Sequence, residues 1–383
     1  MNLFPHCLRA EFVSRPNRFT LHCRIGGQTV RAHLPNPGRL WELLLPGAIL
    51  YLEPRAGIGP HMPYTAVAVE KEGHPVLLHT HRTNDLAQYL LEEGLIPGLE
   101  GAEVLQREIP MGGSRFDFLL QRGSERILLE VKSCTLFGKR MAMFPDAVTD
   151  RGRRHIRDLA AWTQEGYAGA VLFLVSKGEI EYFLPEYHTD LAFSRELLRA
   201  RHRIRVMALA VSLHSDLSLN PRVFPIRIPW EMAEREGEDR GSYILVLRLG
   251  EEKTIGVGRQ GRVRFPKGYY LYVGSARRNL SQRIARHQRL RKTPFWHIDD
   301  LRAHTDRPLA IPIRTEDDLE CDLAKALRGL AEWEIPGFGC SDCRCSSHLY
   351  GMGGNPLQSP SFISLLHYFR MDRLGEKIRQ APR

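Results

Sequence analysis

Asp117, Glu130 and Lys132 are the residues whose types and spacing point most directly to chemistry in this chain of 383 residues. They stand in the run RFDFLLQRGSERILLEVKS, residues 115–133, which otherwise reads as two apolar strands around an RGSE turn. In a strand, residues two apart share a face, so Glu130 and Lys132 project together while Leu129 and Val131 point the other way. Asp117 likewise stands opposite Phe116 and Phe118. Pairing of the two strands through the turn brings the carboxylates together, with the ammonium group beside them. Two hard oxygen ligands suit Mg²⁺ or Mn²⁺, whose open positions carry water and a phosphate oxygen, and the lysine orients or deprotonates the water and offsets the developing charge. The chemistry that such a set predicts is metal-dependent phosphodiester hydrolysis. A strand surfacing into solvent would carry similar charges, but the spacing, the order of surrounding elements and a following basic helix favour a centre. In that helix Arg151 and His155, four apart, share a face, and Arg154 and Arg157 add charge suited to phosphate.

A second constellation lies further along. GSY at 241–243 and YVG at 272–274 are followed by Arg283 on a basic helix and by Glu320 on a later one. Tyr243 is suited to activate water, Tyr272 to position it, Arg283 to stabilise phosphorane charge and Glu320 to hold one divalent cation. His287 falls four residues after Arg283, on the same helix face. Residues 277–292, including Arg277, Arg278 and Arg286, hold seven Arg or Lys and no acid, an electrostatic footprint for nucleic acid. Strand-face packing is the alternative reading of the tyrosines. Near the end come Cys340, Cys343, Cys345 and His348. A Cys-x-x-Cys step running straight into Cys-x-Cys is tight for tetrahedral Zn²⁺, whose sites usually join two separated pairs, so buried thiols with local hydrogen bonds are expected rather than zinc. Asp342, between them, serves either the segment's structure or the site.

These residues need elements to position them. From residue 1 to about 85 the pattern is short β-type runs, RFTLHCRI, QTVRAHL, AILYLEP and YTAVAVE, separated by PNPGRL and GIGPHMP. That predicts a small barrel or sandwich, with the five-stranded nucleic-acid-binding barrel as one candidate. The period then changes. NDLAQYLLEEGL predicts an amphipathic helix with Asn84 as N-cap; EVLQREIP, SRFDFLLQ and ERILLEVKS predict three strands; and TDRGRRHIRDLAAWTQEG predicts a helix capped by Thr149 or Asp150. GAVLFLV, TDLAFSRELLRARH and IRVMALAV continue as strand, helix and strand. The order α-β-β-β-α-β-α-β suits one mixed sheet with helices on its faces. IPWEMAEREGEDRG is acidic and turn-forming, a predicted linker, and a third part starts at 241.

Composition bounds the partners. The chain is 43% hydrophobic and 26% charged, ordinary for globular domains, and its net charge of +10 favours a polyanion, because Lys and Arg displace counterions condensed on phosphates. Arg9, Glu11, Arg15 and Arg18 interrupt any apolar leader, and no run approaches a membrane span. Seven cysteines, an odd number, suit a reducing compartment. The expectation is a cytoplasmic protein with no membrane partner.

The stretch from Asp117 through LEVKS resembles the PD-(D/E)xK nuclease signature, and the first 230 residues resemble the sugar fermentation stimulation protein A (SfsA) family through HLPNPGRL, SRFDFLL, LEVKSCTL and FPDAVTDRGRRHIRDL. That resemblance implies DNA binding and nuclease activity, with Asp117 and Glu130 as metal ligands and Lys132 as the catalytic lysine. Many relatives of the nuclease fold add an acid from the first helix, for which Glu92 or Glu93 is the candidate. Arg39, in HLPNPGRL, joins the nucleic-acid-binding set. Residues 241–351 resemble a GIY-YIG-related family of unknown function, sometimes attached to endonuclease III, through YLYVGSA, RIARH, FWHIDDL and GFGCSDCRCSSHL. Ser242 stands where that signature has Ile, and Tyr243 and Tyr272 lie 29 positions apart, wider than its usual short hairpin. The expected fold class is therefore α/β and α+β multidomain: an OB-like β-barrel over 1–85, a PD-(D/E)xK nuclease-like αβββαβ domain over 86–228, a linker over 229–240 and a GIY-YIG-like α+β domain with its Cys-rich segment over 241–383. The expected function is a divalent-metal nuclease acting on DNA, with RNA as the alternative substrate. A non-catalytic DNA-binding regulator or scaffold is the alternative.

Overall fold

The computed structural model describes residues 1–55, 62–290, 293 and 295–380. Its contacts divide the chain into two compact units, Met1–Trp230 with Leu374–Arg383, and Glu231–Arg373.

The first unit begins with β1 (Leu8–Asn17), β2 (Thr20–Ile25), β3 (Gln28–His33), β4 (Ile49–Pro54), β5 (Tyr64–Lys71) and β6 (His74–Leu77). β1 pairs with both β2 and β4, β4 with β5, and a short parallel pairing of Ala32 with Tyr64 joins β3 to β5. The ring β1-β2-β3-β5-β4 closes into an OB-like barrel, with β6 added outside. β1 is absent from the sequence reading because Arg9, Glu11 and Ser14 dilute its apolar pattern; Ala10 and Phe12 nonetheless face the core. Positions 57–61 of the predicted GIGPHMP turn lie outside the described residues.

A mixed sheet follows. α1 (Arg82–Glu92) leads to β7 (Glu103–Met111), β8 (Ser114–Arg122) and β9 (Glu125–Cys134), an antiparallel meander. β10 (Leu136–Phe137) and β11 (Met141–Phe144) belong to a small separate sheet. After α2 (Asp150–Trp162), β12 (Ala168–Val175) runs parallel to β9, opposing Glu130 with Val171 and Lys132 with Phe173. β13 (Tyr182–Pro185) joins β11, α3 (Leu191–Ala200) packs beside α2, and β14 (Ile204–Ala210) runs parallel to β12 before β15 (Phe224–Pro225) closes the edge. The sheet order is β15-β14-β12-β9-β8-β7. Helices cover both faces. Leu86 and Leu90 of α1 pack in one apolar cluster, while Ile156 and Leu159 of α2 pack in another. Thr149 caps α2 by accepting from Gly152 N, and Asp190 caps α3 by accepting from Phe193 N. α1 departs from expectation: its N-cap is His81, and Asn84 stands inside its first turn.

In the second unit the predicted linker is largely a helix, α4 (Trp230–Glu236), because Met232, Ala233 and Glu236 are buried. β16 (Gly241–Leu249) is followed by the separate hairpin of β17 (Lys253–Val257) and β18 (Gly261–Phe265), and then β19 (Gly268–Ala276) pairs directly with β16. The inserted hairpin accounts for the wide spacing of the two tyrosine motifs. α5 (Leu280–Gln288), α6 (His297–Arg302), β20 (Leu309–Arg314), α7 (Glu320–Arg328), β21 (Trp333–Glu334), β22 (Leu349–Met352) and α8 (Pro360–His367) complete the unit, and α9 (Arg373–Gln380) falls mostly in the first. The sheet order is β20-β16-β19-β22-β21. α5 is shorter than the basic run 277–292: Arg277 and Arg278 precede it, and positions 291 and 292 lie outside the described residues. Among the described residues no helix is long and apolar enough to cross a membrane.

Candidate functional site

β8 and β9 pair in register from Arg122↔Glu125 to Phe118↔Leu129, so the RGSE turn does join them. Just beyond Phe118 the Asp117 side chain enters the ladder, its Oδ2 accepting from Val131 N at 2.7 Å. Its Oδ1 accepts from Asn84 Nδ2 of α1, also at 2.7 Å. Glu130 is 3% exposed, and its Oε1 receives both Lys132 Nζ and His155 Nδ1. Arg151 Nε donates to His155 Nε2 at 3.3 Å, which leaves the proton on Nδ1, facing the carboxylate. The other oxygen of Glu130, Oε2, is buried and has no hydrogen-bond partner among the described residues.

The electrostatics of the two acids diverge. Burial pushes the Glu130 carboxyl up, but Lys132 and His155 more than offset it and hold it below the usual range. Burial and the neighbouring Glu130 push Asp117 up to about 6, against the donors Val131 N and Asn84. A like-charge carboxylate pair with one unsatisfied buried oxygen fits a hard divalent cation, which would relieve both conditions. The pair lines a cavity of about 500 Å³, together with Arg18, Lys132, Arg151 and Asp146.

Asp146 ties the barrel to this wall. Its Oδ2 accepts from Leu40 N at 2.7 Å, and Arg39 donates to its backbone carbonyl. Gly38 lies so close that a Cβ there would come 2.8 Å from Asp146 Oδ2. The runs HLPNPGRL and FPDAVTDRG, distant in sequence, therefore meet. Arg39, expected on nucleic acid, also stacks on Trp41 and forms an ion pair with Asp146, so its charge is engaged inside the protein. His155 is corrected likewise: only 2% exposed and turned to Glu130, it orients that carboxylate rather than meeting phosphate. Arg151 and Arg154 are exposed on α2, and of the two Arg151 lines the cavity. Glu92 and Glu93 are exposed at the far end of α1 and do not line it; the α1 side chain at the site is Asn84. Sequence reasoning missed that role because Asn84 also suits a helix cap.

The second unit forms a smaller cavity of about 280 Å³, lined by Tyr243, Tyr272, Arg283, Trp296, Glu320 and Asp342 among others. Tyr243 opposes Gly274 and Leu245 opposes Tyr272, so both phenols share a sheet face, their rings 6.4 Å apart. Gly274 is required by this arrangement, since any Cβ there would collide with the Tyr243 hydroxyl. Tyr243 Oη and His287 Nε2 are hydrogen-bonded at 2.9 Å. Burial and the adjacent Tyr272 push the Tyr243 hydroxyl well above its ordinary pKa, and burial with Glu320 does the same to Tyr272. Burial pushes Glu320 up, but His348 and Ser275 outweigh it and keep that acid ionised. Ser275 Oγ donates to Glu320 Oε2, and His348 Nδ1 faces Oε1 at 3.2 Å.

Arg283 lies over the Trp296 ring, and Arg277 and Arg278 are exposed. Arg286, expected on nucleic acid, instead pairs with buried Asp299 at 3.1 Å and donates to Thr293 O, so it fastens α5 to α6. The cysteine expectation changes too. Cys343, Cys345 and His348 come together with Cys321 of α7, and Cys340 stays out of the group.

Residues 13–78 match the family profile described as the SfsA N-terminal OB domain, and residues 81–217 match the sugar fermentation stimulation protein RE domain. Residues 242–369 match a domain of unknown function, DUF123. The chain is 38% identical over 220 residues to a sugar fermentation stimulation protein homolog of Methanothermobacter thermautotrophicus, covering 57% of this chain and 91% of that protein. It is also 42% identical over 204 residues to a homolog of Pyrobaculum arsenaticum, covering 53% of this chain and 86% of the relative. Among solved structures, SfsA of Pyrococcus furiosus in complex with Ca²⁺ aligns with a TM-score of 0.55 at 28% identity, over 60% of this chain and 99% of that one.

Proposed function

We infer, since the chain belongs to the sugar fermentation stimulation protein (SfsA) family, that its first unit is a divalent-metal-dependent nuclease acting on DNA. The observation that carries this reading is the buried Oε2 of Glu130, without a hydrogen-bond partner among the described residues, beside the carboxyl of Asp117, which burial and Glu130 push up to about 6. Asp117 and Glu130 would hold Mg²⁺ or Mn²⁺, and the Ca²⁺ complex of the Pyrococcus relative supports a hard cation in this family. When bound, such a cation polarises a phosphate oxygen and acidifies water.

The chain's own residues do the rest. Lys132, held at the cavity wall by Glu130, supplies the positive charge that orients the water and offsets charge building on the phosphate. His155, its tautomer set by Arg151, fixes the direction of the Glu130 carboxylate. Arg18 and Arg151 at the same cavity supply phosphate contacts, and the OB-like barrel behind it suits a nucleic-acid strand. In the second unit we assign Arg283, Arg277 and Arg278 to holding nucleic acid rather than cutting it, because the phenols are held protonated and both oxygens of Glu320 already face donors.

The test is a cleavage screen over single-stranded, duplex and branched DNA and over RNA, with Mg²⁺ and Mn²⁺. Metal-dependent cleavage that Asp117→Ala and Glu130→Ala abolish, with binding retained, is the expected result. Binding without cleavage of any form would make the protein a DNA-binding regulator or scaffold instead.

A further inference from the structure

We propose that the second unit carries a tetrahedral Zn²⁺ site built from the thiolates of Cys321, Cys343 and Cys345 and from Nε2 of His348. All four ligand atoms lie within 4.8 Å of one another. A tetrahedron with zinc–sulfur bonds of about 2.3 Å has edges of about 3.8 Å, so small side-chain adjustments close the cluster on an ion. Cys343 Sγ already stands 3.4 Å from His348 Nε2. The ligand pattern also removes the objection raised by the tail alone. Cys343, Cys345 and His348 come from one short segment, and Cys321 comes from α7, 22 positions earlier, so two separate stretches of chain are joined. Cys340 is excluded, which breaks up the crowded Cys-x-x-Cys-x-Cys reading. No disulfide occupies these thiols, and three soft sulfur ligands with one imidazole select Zn²⁺ over Mg²⁺ or Ca²⁺.

The site also explains a second buried contact. His348 is 1% exposed, and its other ring nitrogen, Nδ1, faces Glu320 Oε1 at 3.2 Å. A zinc-bound histidine characteristically donates its remaining N–H to a carboxylate, which fixes both groups. Glu320 is the immediate neighbour of Cys321, so one ion would anchor the first turn of α7 through its backbone and orient Glu320 through His348. Zinc thus sets a wall of the tyrosine-lined cavity without entering it. This inference does not depend on whether the first unit cuts nucleic acid.

Full-length protein purified under reducing conditions is expected to retain one zinc per chain by elemental analysis. After chelation, Co²⁺ titrated into the same protein should give the intense ligand-field bands of a tetrahedral thiolate site, saturating at one ion per chain. Cys321→Ser and Cys343→Ser should lose those bands, Cys340→Ser should keep them, and Glu320→Gln should weaken zinc binding about tenfold. If the cysteine variants unfold, the wild-type cobalt spectrum still decides, because its sulfur charge-transfer intensity counts the thiolates. Three thiolates support the site. Weak octahedral cobalt bands, no stoichiometric metal, or retention in Cys321→Ser together with loss in Cys340→Ser would overturn it.

Discussion

The two cavities differ in how their acids are satisfied. In the first unit Asp117, Glu130 and Lys132 come from a single hairpin, yet one buried carboxylate oxygen has no hydrogen-bond partner among the described residues and the neighbouring Asp117 is pushed up to about 6. In the second unit the lining residues come from β16, β19, α5, the start of α6, α7 and the segment after Phe338, and of the two acids among them, Glu320 and Asp342, Glu320 already faces Ser275 and His348. A site built to take a hard cation leaves ligand capacity open, whereas a site whose acid is spent on protein donors favours binding and positioning. The difference teaches that a similar set of residue types, acid with base or phenol near arginine, does not by itself mark where cleavage occurs. Unmet hydrogen-bonding capacity in a buried place is the better guide.

The largest effect that would break this contrast comes from the two acids compared directly. Glu130→Ala should lower metal-dependent cleavage by about 10³-fold, close to 4 kcal/mol of transition-state stabilisation, while Glu320→Gln should leave it within about twofold. Equal losses in a labelled-DNA cleavage assay would erase the distinction. Lys132→Ala should follow with a loss of about 10²-fold in turnover and nearly unchanged DNA affinity, read by single-turnover kinetics beside a binding titration.

Packing supplies a milder comparison. Gly274→Ala forces the Tyr243 ring out of its place and should cost about 1–3 kcal/mol of stability in the second unit, seen as a lower denaturant midpoint for that unit's transition. Asn84→Ala removes one donor from Asp117 and should change Mg²⁺ affinity by about three- to tenfold by calorimetry, with the fold intact by circular dichroism.

The smallest effect is one of pH. Folding holds the Tyr243 and Tyr272 hydroxyls above their ordinary value of about 10, so below that pH both folded and unfolded chains keep the proton and the contribution is fully present. As pH rises beyond 10 the unfolded chain ionises first, and stability falls towards the folded pKa. Thermal melts in alkaline buffer should therefore show the second unit weakening, with an added step of tyrosinate absorbance as it unfolds and releases the buried phenols.

Much of this was legible along the chain. The hairpin centred on RGSE, the α-β-β-β-α-β-α-β order of the main sheet and its helices, though not the small sheet of β10, β11 and β13, and the shared face of Arg151 and His155 follow from strand and helix periods, which are local properties. The barrel's first strand was not legible, because alternating charge on one face of residues 8–17 hides the apolar face beneath. Asn84 illustrates a different limit. Its type suits a cap equally well, and only the approach of α1 to β8 turns it towards Asp117.

Residue type and period alone thus determined that two carboxylates and a lysine would converge on one sheet face, and that a basic surface would accompany them. Tertiary structure decided which arginines remain open to a partner, since Arg39 and Arg286 find buried acids while Arg18 and Arg151 line a cavity. It also decided the membership of the sulfur cluster, replacing Cys340 with Cys321. Ion pairing and metal coordination act over a few ångströms of space, and the chain brings Cys321 to His348 only after β22 has paired with β19 and α7 has packed against both.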